Sequence, residues 1–145
     1  MKFKIQQADK RHFSEINRLL IKTKIGQLKE GINGQLWFVR CHGKIIACAD
    51  LEIIDPQVAI FLHWAVDPDY RHQGIGTALL NHALDFARQK GIRLVALATM
   101  YYHFRRFKKH EFRTCPRQDL PGTVKDYWMF MADRYKKCAV MLKSL

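Results

Sequence analysis

The sequence contains no long apolar run and no leader-like segment. No stretch approaches the roughly 18 apolar residues that cross a bilayer, and the amino end, MKFKIQQADKRHF, is charged where a signal peptide has an apolar core. Low-complexity stretches, internal repeats and linkers rich in Gly, Pro or Ser are also missing. With 145 residues, 48% of them hydrophobic and 26% charged, the chain is expected to form one globular, cytoplasmic domain over residues 1–145, with no membrane partner.

Cysteines are few and widely spaced, and acidic residues are scarce. The four cysteines are Cys41, Cys48, Cys115 and Cys138. They form no C-x-x-C pair, which argues against a zinc site or a disulfide framework and favours buried free thiols, so we expect no metal. Thirteen acidic residues against 25 lysines and arginines give a formal net charge of +12. Such a charge suits nucleic acid, an acidic protein surface, or a phosphate-rich cofactor with an anionic substrate.

Apolar periodicity predicts an α/β (α+β) fold, a mixed sheet with helices on both faces around a β-helix-β unit. The predicted strands are KFKIQ, LWFVRC, KIIACADLEII, VAIFLHWAV, IRLVALAT, FRTC and CAVMLKSL. LWFVRC and KIIACADLEII should form a hairpin through His42 and Gly43. A first helix carries apolar residues at Phe13, Ile16, Leu19 and Leu20, and a longer one at Ile75, Leu79, Ala83, Phe86 and Ala87. YYHFRRFKKH is expected to be a short basic helix, followed by a middle segment punctuated by Pro and Gly.

Two glycines stand at the start of the longest predicted helix. In AVDPDYRHQGIGTALLNHALDFARQKG, residues 65–91, a strand end leads through a turn to Gly74 and Gly76 and then to the amphipathic run. Unpaired N–H groups and the helix dipole attract an anion there, and glycine lets a phosphate approach. Leu79 stands where the dinucleotide fingerprint needs a third glycine, and no Gly-Lys-Ser/Thr sequence follows. The glycines alone fit equally well a helix start that they merely shape.

Residues 71–76, Arg-His-Gln-Gly-Ile-Gly, resemble the R/Q-x-x-G-x-G/A signature of the GCN5-related N-acetyltransferases (GNAT). The likeness covers residues 58–113 and implies a GNAT-like sheet with an acetyl-coenzyme A (acetyl-CoA) site as its β-helix-β core. Backbone amides of residues 73–77 would hold the pyrophosphate, and the strand before them, splayed from its neighbour, would bind the pantetheine arm. The expected contact residues are Trp64, Ala65, Val66, Arg71, His72, Gln73, Gly74, Ile75, Gly76 and Thr77.

Acetyl transfer to an amine needs a base, because an ammonium group near its ordinary pKa is mostly protonated at pH 7. His63 lies on the strand that leads to residues 71–77, called the glycine loop below. The pKa of an imidazole suits removal of a proton near neutral pH. A hydrogen-bonded core histidine is an equal alternative. Asp50 and Glu52 share one face of the preceding strand and could relay a proton through water, although a solvated sheet face explains them as well.

The acid is where the chain departs from the resemblance. Many members carry a tyrosine in a FYxxxGF segment, but the corresponding RFKKHEF places Phe107 at the tyrosine and Glu111 at the glycine. Phenylalanine cannot donate a proton. The thiolate then leaves unaided or takes a proton from another group, for which the candidates are Tyr102, His103, Tyr127 and Tyr135, each of which also fits a packing role. Tyr127 is carried forward as a candidate catalytic residue.

A weaker likeness points to the N-acetylglutamate synthase branch of the family. It rests on Phe107, Thr99, Asp119, Leu120, Pro121, Tyr127, Arg134 and Lys137. It implies an amino-acid acceptor whose carboxylate could be drawn in by Arg105, Arg106, Lys108 and Lys109, although a solvated helix face or contacts to the 3'-phosphate of the cofactor explain these charges too.

The expected function is acetyl transfer from acetyl-CoA to the primary amine of a small molecule, such as an amino acid, or of a peptide. The alternative is a non-catalytic module that senses acetyl-CoA or binds RNA or an acidic protein. No aromatic-basic stacking motif supports nucleic acid. The sequence leaves open whether the chain forms an oligomer such as a homodimer.

Overall fold

The structure is a computed structural model that describes residues 2–28, 34–132 and 136–145. The strands of this part are β1 Ile5–Gln7, β2 Gly34–Cys41, β3 Lys44–Asp55, β4 Val58–Val66, β5 Leu94–Thr99, β6 Arg113–Cys115 and β7 Ala139–Ser144. The α-helices are α1 Phe13–Lys22, α2 Ile75–Gln89, α3 Phe104–Lys108, α4 Gly122–Lys125 and α5 Trp128–Met131. Short 3-10 helices span Lys10–His12, Pro68–Tyr70, Tyr101–His103 and Arg117–Asp119.

The strands form one seven-stranded sheet in the order β1-β2-β3-β4-β5-β7-β6. β4 and β5 are parallel, whereas β1 and β2, β2 and β3, β5 and β7, and β6 and β7 pair antiparallel. Because α2 lies between β4 and β5 in the chain, these three elements form the β-helix-β unit. The predicted mixed sheet is confirmed.

The chain divides into two compact units, one of Met1–Glu52 with Phe61–Phe86 and the other of Ile53–Ile60 with Ala87–Leu145. In the first unit, α1 packs its buried residues against Leu36 and Phe38 of β2. Trp37, between them, points to the opposite face, where its ring lies 5.2 Å from that of His82 and 5.3 Å from that of Phe86, both on α2. Helices therefore cover both faces of these strands, as expected.

The hairpin between β2 and β3 turns at the predicted residues. His42 and Gly43 both have positive φ, 51° and 74°. This is the requirement of a type I′ turn, whose twist matches that of two antiparallel strands. The register pairs Cys41 with Lys44 at the turn and Gly34 with Glu52 at the far end.

α2 buries the predicted stripe and ends at a glycine. Ile75, Leu79 and Ala83 are at most 1% exposed. Gly91 has a φ of 80°, and the N–H of Ile92 donates to the carbonyl of Ala87 at 3.0 Å, which closes a Schellman-type end. No described helix is long and apolar enough to cross a membrane.

In the second unit the structure adds elements to the segment described from the sequence only as punctuated by Pro and Gly. A 3-10 helix at Arg117–Asp119 precedes α4 and α5, each of four residues. Such short turns show no helical period in a sequence. Their buried residues, Val124, Met129 and Phe130, nevertheless contribute to the core of this unit.

Candidate active site

Backbone N–H groups without an acceptor lie where α2 begins. The first hydrogen bond of the helix runs from the N–H of Ala78 to the carbonyl of Gly74 at 3.0 Å. Among the described residues, the N–H groups of Ile75, Gly76 and Thr77 find no acceptor. Gly74 has a φ of 81°, and a Cβ built there meets no atom within 4 Å. The helix end therefore offers several donors and a positive dipole to an anion of the size of a phosphate.

Gly76 is needed for a different reason, which the sequence did not reveal. A Cβ at this position would lie 3.3 Å from Cγ2 of Val66 and 3.4 Å from Cζ2 of Trp64. The indole Nε1 of Trp64 also donates to the carbonyl of Gly76 at 3.0 Å. Gly76 thus lets the helix start pack closely against the end of β4, and the tryptophan side chain fixes that position.

Arg71 and His72 lead into the glycine loop, and both side chains are exposed. The Nε of Arg71 donates to the carbonyl of Val66 at 3.1 Å, so this side chain folds back onto the strand expected to bind pantetheine. His72 has a φ of 65°, a left-handed backbone that is costly for a residue with a Cβ. Two residues of the loop, His72 and Gly74, are therefore held in left-handed conformations.

A buried carboxylate fixes the start of the segment that leads from β4 to the glycine loop. Asp67, directly after β4, is fully buried, and its Oδ2 accepts from Nζ of Lys22 at 2.9 Å and lies 3.2 Å from Nζ of Lys44. Its Oδ1 accepts from the N–H of Asp69 at 3.0 Å, and its own N–H donates to the carbonyl of Ile46 at 2.7 Å. One carboxylate therefore joins the segment after β4 to α1 and β3.

The ion pairs outweigh the burial of this carboxylate. Burial alone would raise the pKa of Asp67, but hydrogen bonds from Lys22, the N–H of Asp69 and Lys44 lower it from 3.8 to about 2. Asp67 is therefore ionised at neutral pH. The role of Asp67 was not predicted from the sequence because both lysines lie far from it in the chain, and the only signal was the Asp-Pro turn itself.

His63 and Asp50, considered separately in the sequence, form a pair. His63 Nδ1 lies 3.2 Å from Asp50 Oδ2, and their side chains are only 9% and 1% exposed. The solvated sheet face offered as an alternative for Asp50 is therefore wrong. Cys48, two residues before Asp50, donates its thiol to the carbonyl of His63 at 3.2 Å. Burial and the nearby Asp50 charge raise the pKa of that thiol to about 12, so it stays neutral.

The backbone of β4 is irregular at the same histidine. The parallel register with β5 runs from Val58 opposite Leu94 to Ile60 opposite Ala96. Three residues later His63 takes a φ of 49°, inside a strand and without being glycine. A left-handed residue of this kind costs about 1–2 kcal/mol, and such strain is concentrated at functional sites.

The other candidate residues differ in how far their side chains are exposed. Glu52 is partly exposed, and Tyr102 is 64% exposed. Tyr127 is buried, with its ring 5.5 Å from that of Trp128 and 5.8 Å from that of Phe130. Arg134 and Tyr135 lie outside the described residues. Within the described part of the chain, no cluster of three or more His, Cys, Asp or Glu side chains is arranged to hold a metal.

The segment around Phe107 differs from the usual tyrosine-glycine pattern in two ways. Phe107 is buried, with its ring 5.7 Å from that of Phe112. Glu111 keeps the left-handed conformation that glycine favours, with a φ of 67°. Its carboxylate Oε2 lies 3.3 Å from Nζ of Lys143, a buried lysine that also donates to the carbonyl of His110 at 2.8 Å. The Glu111 side chain therefore has a contact that glycine would lack.

Several known proteins are similar to this chain in sequence or structure. An amino-acid acetyltransferase of Pasteurella multocida is 33% identical over 129 residues, which cover 88% of this chain and 28% of that protein. The structure of N-acetylglutamate synthase from Neisseria gonorrhoeae, complexed with coenzyme A and N-acetyl-glutamate, is similar with a TM-score of 0.83 at 21% identity, covering 100% of this chain and 35% of that one. An acetyltransferase from Streptococcus agalactiae has a TM-score of 0.78 at 20% identity, covering 99% of this chain and 98% of that one.

The resemblance seen in the sequence is confirmed by these matches. The chain spans 27–28% of the length of the first three curated relatives it matches. The model of the Acetyltransferase (GNAT) family matches residues 5–110, which include β1 to β5 and the whole glycine loop. The chain belongs to the Acetyltransferase (GNAT) family.

Proposed function

We propose that the chain is an N-acetyltransferase that moves an acetyl group from acetyl-CoA to a primary amine. The observation that carries the proposal is the start of α2, where unused N–H groups and the open space at Gly74 lie at the end of β4. Two proteins whose structures are similar to this chain, the N-acetylglutamate synthase and Rv2747 from Mycobacterium tuberculosis, were solved with coenzyme A.

The donor fits the residues present. Backbone N–H groups of residues 73–77 supply the hydrogen-bond donors that a pyrophosphate needs, and the exposed side chains of Arg71 and His72 flank them. The backbone of Trp64, Ala65 and Val66 is proposed to bind the pantetheine arm. Because the carbonyl of Val66 already accepts from Arg71, a pantetheine amide that uses this carbonyl competes with that guanidinium.

His63 is the proposed base. Its imidazole takes one proton from the acceptor ammonium and passes it to solvent. The neutral nitrogen then bonds to the thioester carbonyl carbon, the carbon–sulfur bond breaks, and the sulfur leaves with the bonding electrons. Tyr127 stays the proposed donor of a proton to that sulfur, and the second proton of the nitrogen then restores the Tyr127 hydroxyl. Glu52, acting through water, stays an alternative base.

An amino acid is the first acceptor class to test. The support comes from the Pasteurella multocida relative, an amino-acid acetyltransferase, and from the N-acetyl-glutamate in the similar synthase structure. Four exposed basic residues could attract the carboxylate of such an acceptor, namely Arg105, Arg106, Lys108 and Lys109. Peptide amines stay in the proposal as a second class.

We also propose that residues 1–145 act as one N-acetyltransferase domain. The support is the acetyltransferase from Streptococcus agalactiae, of which the chain covers 98%. The cytoplasmic location and a homodimer stay predictions. A non-catalytic acetyl-CoA sensor is the alternative that Phe107 favours, since this position lacks a phenolic hydroxyl.

Thiol release from acetyl-CoA, measured over a panel of amino acids, polyamines and peptides, tests the proposal. We expect amine-dependent release with at least one class, and formation of the acetylated amine by mass spectrometry. Coenzyme A binding without release for any acceptor would favour the sensor. Absence of coenzyme A binding would contradict both.

A further inference from the structure

We propose that Asp50 is the positioning residue of the base: it fixes the His63 imidazole so that Nδ1 carries a proton and Nε2 is left to accept one from the acceptor ammonium. The inference rests on the proposed function of His63 and adds a second residue to it. Asp50 itself touches neither substrate in this scheme.

The position of Asp50 is set by the sheet. It lies in β3 opposite Leu36 of β2, inside a register that extends from Gly34 to Cys41. Its carboxylate Oδ2 lies 3.2 Å from Nδ1 of His63 in β4. A carboxylate held on a strand and buried to 1% exposure has little freedom to turn away. The two side chains are therefore held together by the fold rather than by chance contact at a surface.

The carboxylate dictates where the proton of the imidazole sits. An ionised carboxylate only accepts hydrogen bonds, so a hydrogen bond at this distance requires the proton on Nδ1. The lone pair of the neutral ring then lies on Nε2. If the ring is instead an imidazolium, Nδ1 still keeps its proton toward Asp50 and Nε2 is again the nitrogen that exchanges.

Within the described part of the chain, Asp50 has one side-chain hydrogen-bond partner, His63. Its second oxygen, Oδ1, is buried and has no hydrogen-bond partner among the described residues. A buried charge needs compensation, and here the only one found in the described chain is the imidazole. The imidazole is therefore the described group that offsets the burial of the carboxylate, and the carboxylate in turn fixes the orientation of the ring.

The neighbouring thiol of Cys48 does not compete for this proton. The titratable side chains that share the alternation of Asp50 along β3 are Cys48 and Glu52. Cys48 is neutral and directs its thiol to the backbone carbonyl of His63. α1, which packs on the Cys48 face of the strands, contributes apolar residues to that cluster, namely Ile16, Leu19 and Leu20.

The kinetic test compares Asp50→Asn with wild type. The amide can turn its NH2 toward Nδ1, which moves the ring proton to Nε2 and blocks the base, so we expect kcat to fall by roughly 10²- to 10⁴-fold. The KM for acetyl-CoA should stay within about threefold, because the loop at residues 71–77 is untouched. The acid side of the kcat/KM pH profile should differ from that of wild type, since it reports the two residues as one unit.

A double variant separates positioning from general damage. Asp50→Asn combined with His63→Gln should be no slower than His63→Gln alone, because the two residues act as one unit. Cys48→Ala, which removes the neighbouring contact to the His63 carbonyl, is the matched control and should keep the wild-type pH inflection. Multiplying effects, or the same profile change in Cys48→Ala, would overturn the inference.

A spectroscopic readout keeps this test independent of activity. Nitrogen chemical shifts of the His63 ring, assigned by their loss in His63→Gln, report which nitrogen carries the proton. We expect an Nδ1–H ring or an imidazolium in wild type and an Nε2–H ring in Asp50→Asn. A wild-type ring with its proton on Nε2 alone would refute the positioning role, whether or not thiol release is observed. Conversely, an Nδ1–H ring in a protein without thiol release would contradict the proposed function and leave the pairing intact.

Discussion

Replacing Asp67 with asparagine should remove the charge that anchors the glycine loop while preserving the size of the side chain. The pKa of Asp67 is lowered from 3.8 to about 2, and that difference corresponds to about 2 kcal/mol of stability. Lys22 and Lys44 are 46% and 54% exposed, so water screens both ion pairs. Because of this screening, we expect Asp67→Asn to lower the free energy of unfolding at pH 7 by at most about 2 kcal/mol.

The sign of the pH dependence follows from the direction of the shift. A carboxyl group whose pKa is depressed by folding stabilises the protein above its unfolded pKa, here 3.8, and this contribution disappears as pH falls toward 2. About half of the contribution should be gone at pH 3. Wild type and Asp67→Asn should therefore differ most at neutral pH and converge in acid.

Urea unfolding at pH 7 and at pH 3 measures this difference. Asp69→Asn is the matched control, because Asp69 is exposed and lies two residues after Asp67, in the 3-10 helix that Asp67 caps. It should change the free energy of unfolding by no more than about 0.5 kcal/mol. A difference between wild type and Asp67→Asn that is absent at pH 7, or equally large at both pH values, would refute the reasoning.

Three further changes test other parts of the structure. Gly74→Glu should weaken coenzyme A binding by about 100-fold or more in calorimetric titration. Gly74→Ala bears the same strain at a φ of 81° but no charge, so it should bind coenzyme A far better than Gly74→Glu. Equal losses of affinity in the two variants would contradict the anion site. His63→Gln should lower kcat by roughly 10²- to 10⁴-fold and remove the acid-side inflection, whereas a near-normal rate would favour a core histidine. Gly91→Ala should lower the free energy of unfolding by about 1 kcal/mol because φ is 80°, and Gly122→Ala, which has neither positive φ nor a close neighbour, should not.

Most of the sheet could be predicted because each strand has its own local pattern. Continuous or alternating apolar runs and the His42-Gly43 turn define β2, β3 and β4 without reference to the rest of the chain. α4 and α5 could not be predicted in this way, since four residues make barely one helical turn. The positions that took their role from the family resemblance, residues 71–77, comprise an exposed segment and the first residues of α2.

The contacts of the site were less predictable than its elements. A period of two places Asp50 on a face of β3, but the pattern does not say which side chain of the next strand meets it, so its pairing with His63 was missed. The anchoring role of Asp67 depends on Lys22, 45 residues earlier. The reason for Gly76 depends on the side chains of β4. In each case the decisive neighbour is distant in sequence and comes close only when the fold forms.

These distant contacts explain how an exposed loop can present its donors in a fixed arrangement. Asp67 holds one end of the segment through α1 and β3, and the indole of Trp64 holds the other end at the carbonyl of Gly76. Between them, His72 takes a left-handed conformation that is costly for a residue with a Cβ, and Gly74 takes one that glycine adopts freely. Ordering a flexible loop upon binding costs affinity, and a loop that is held at both ends avoids much of that cost. Loss of the Asp67 charge should therefore weaken coenzyme A binding even though this carboxylate is buried behind the loop.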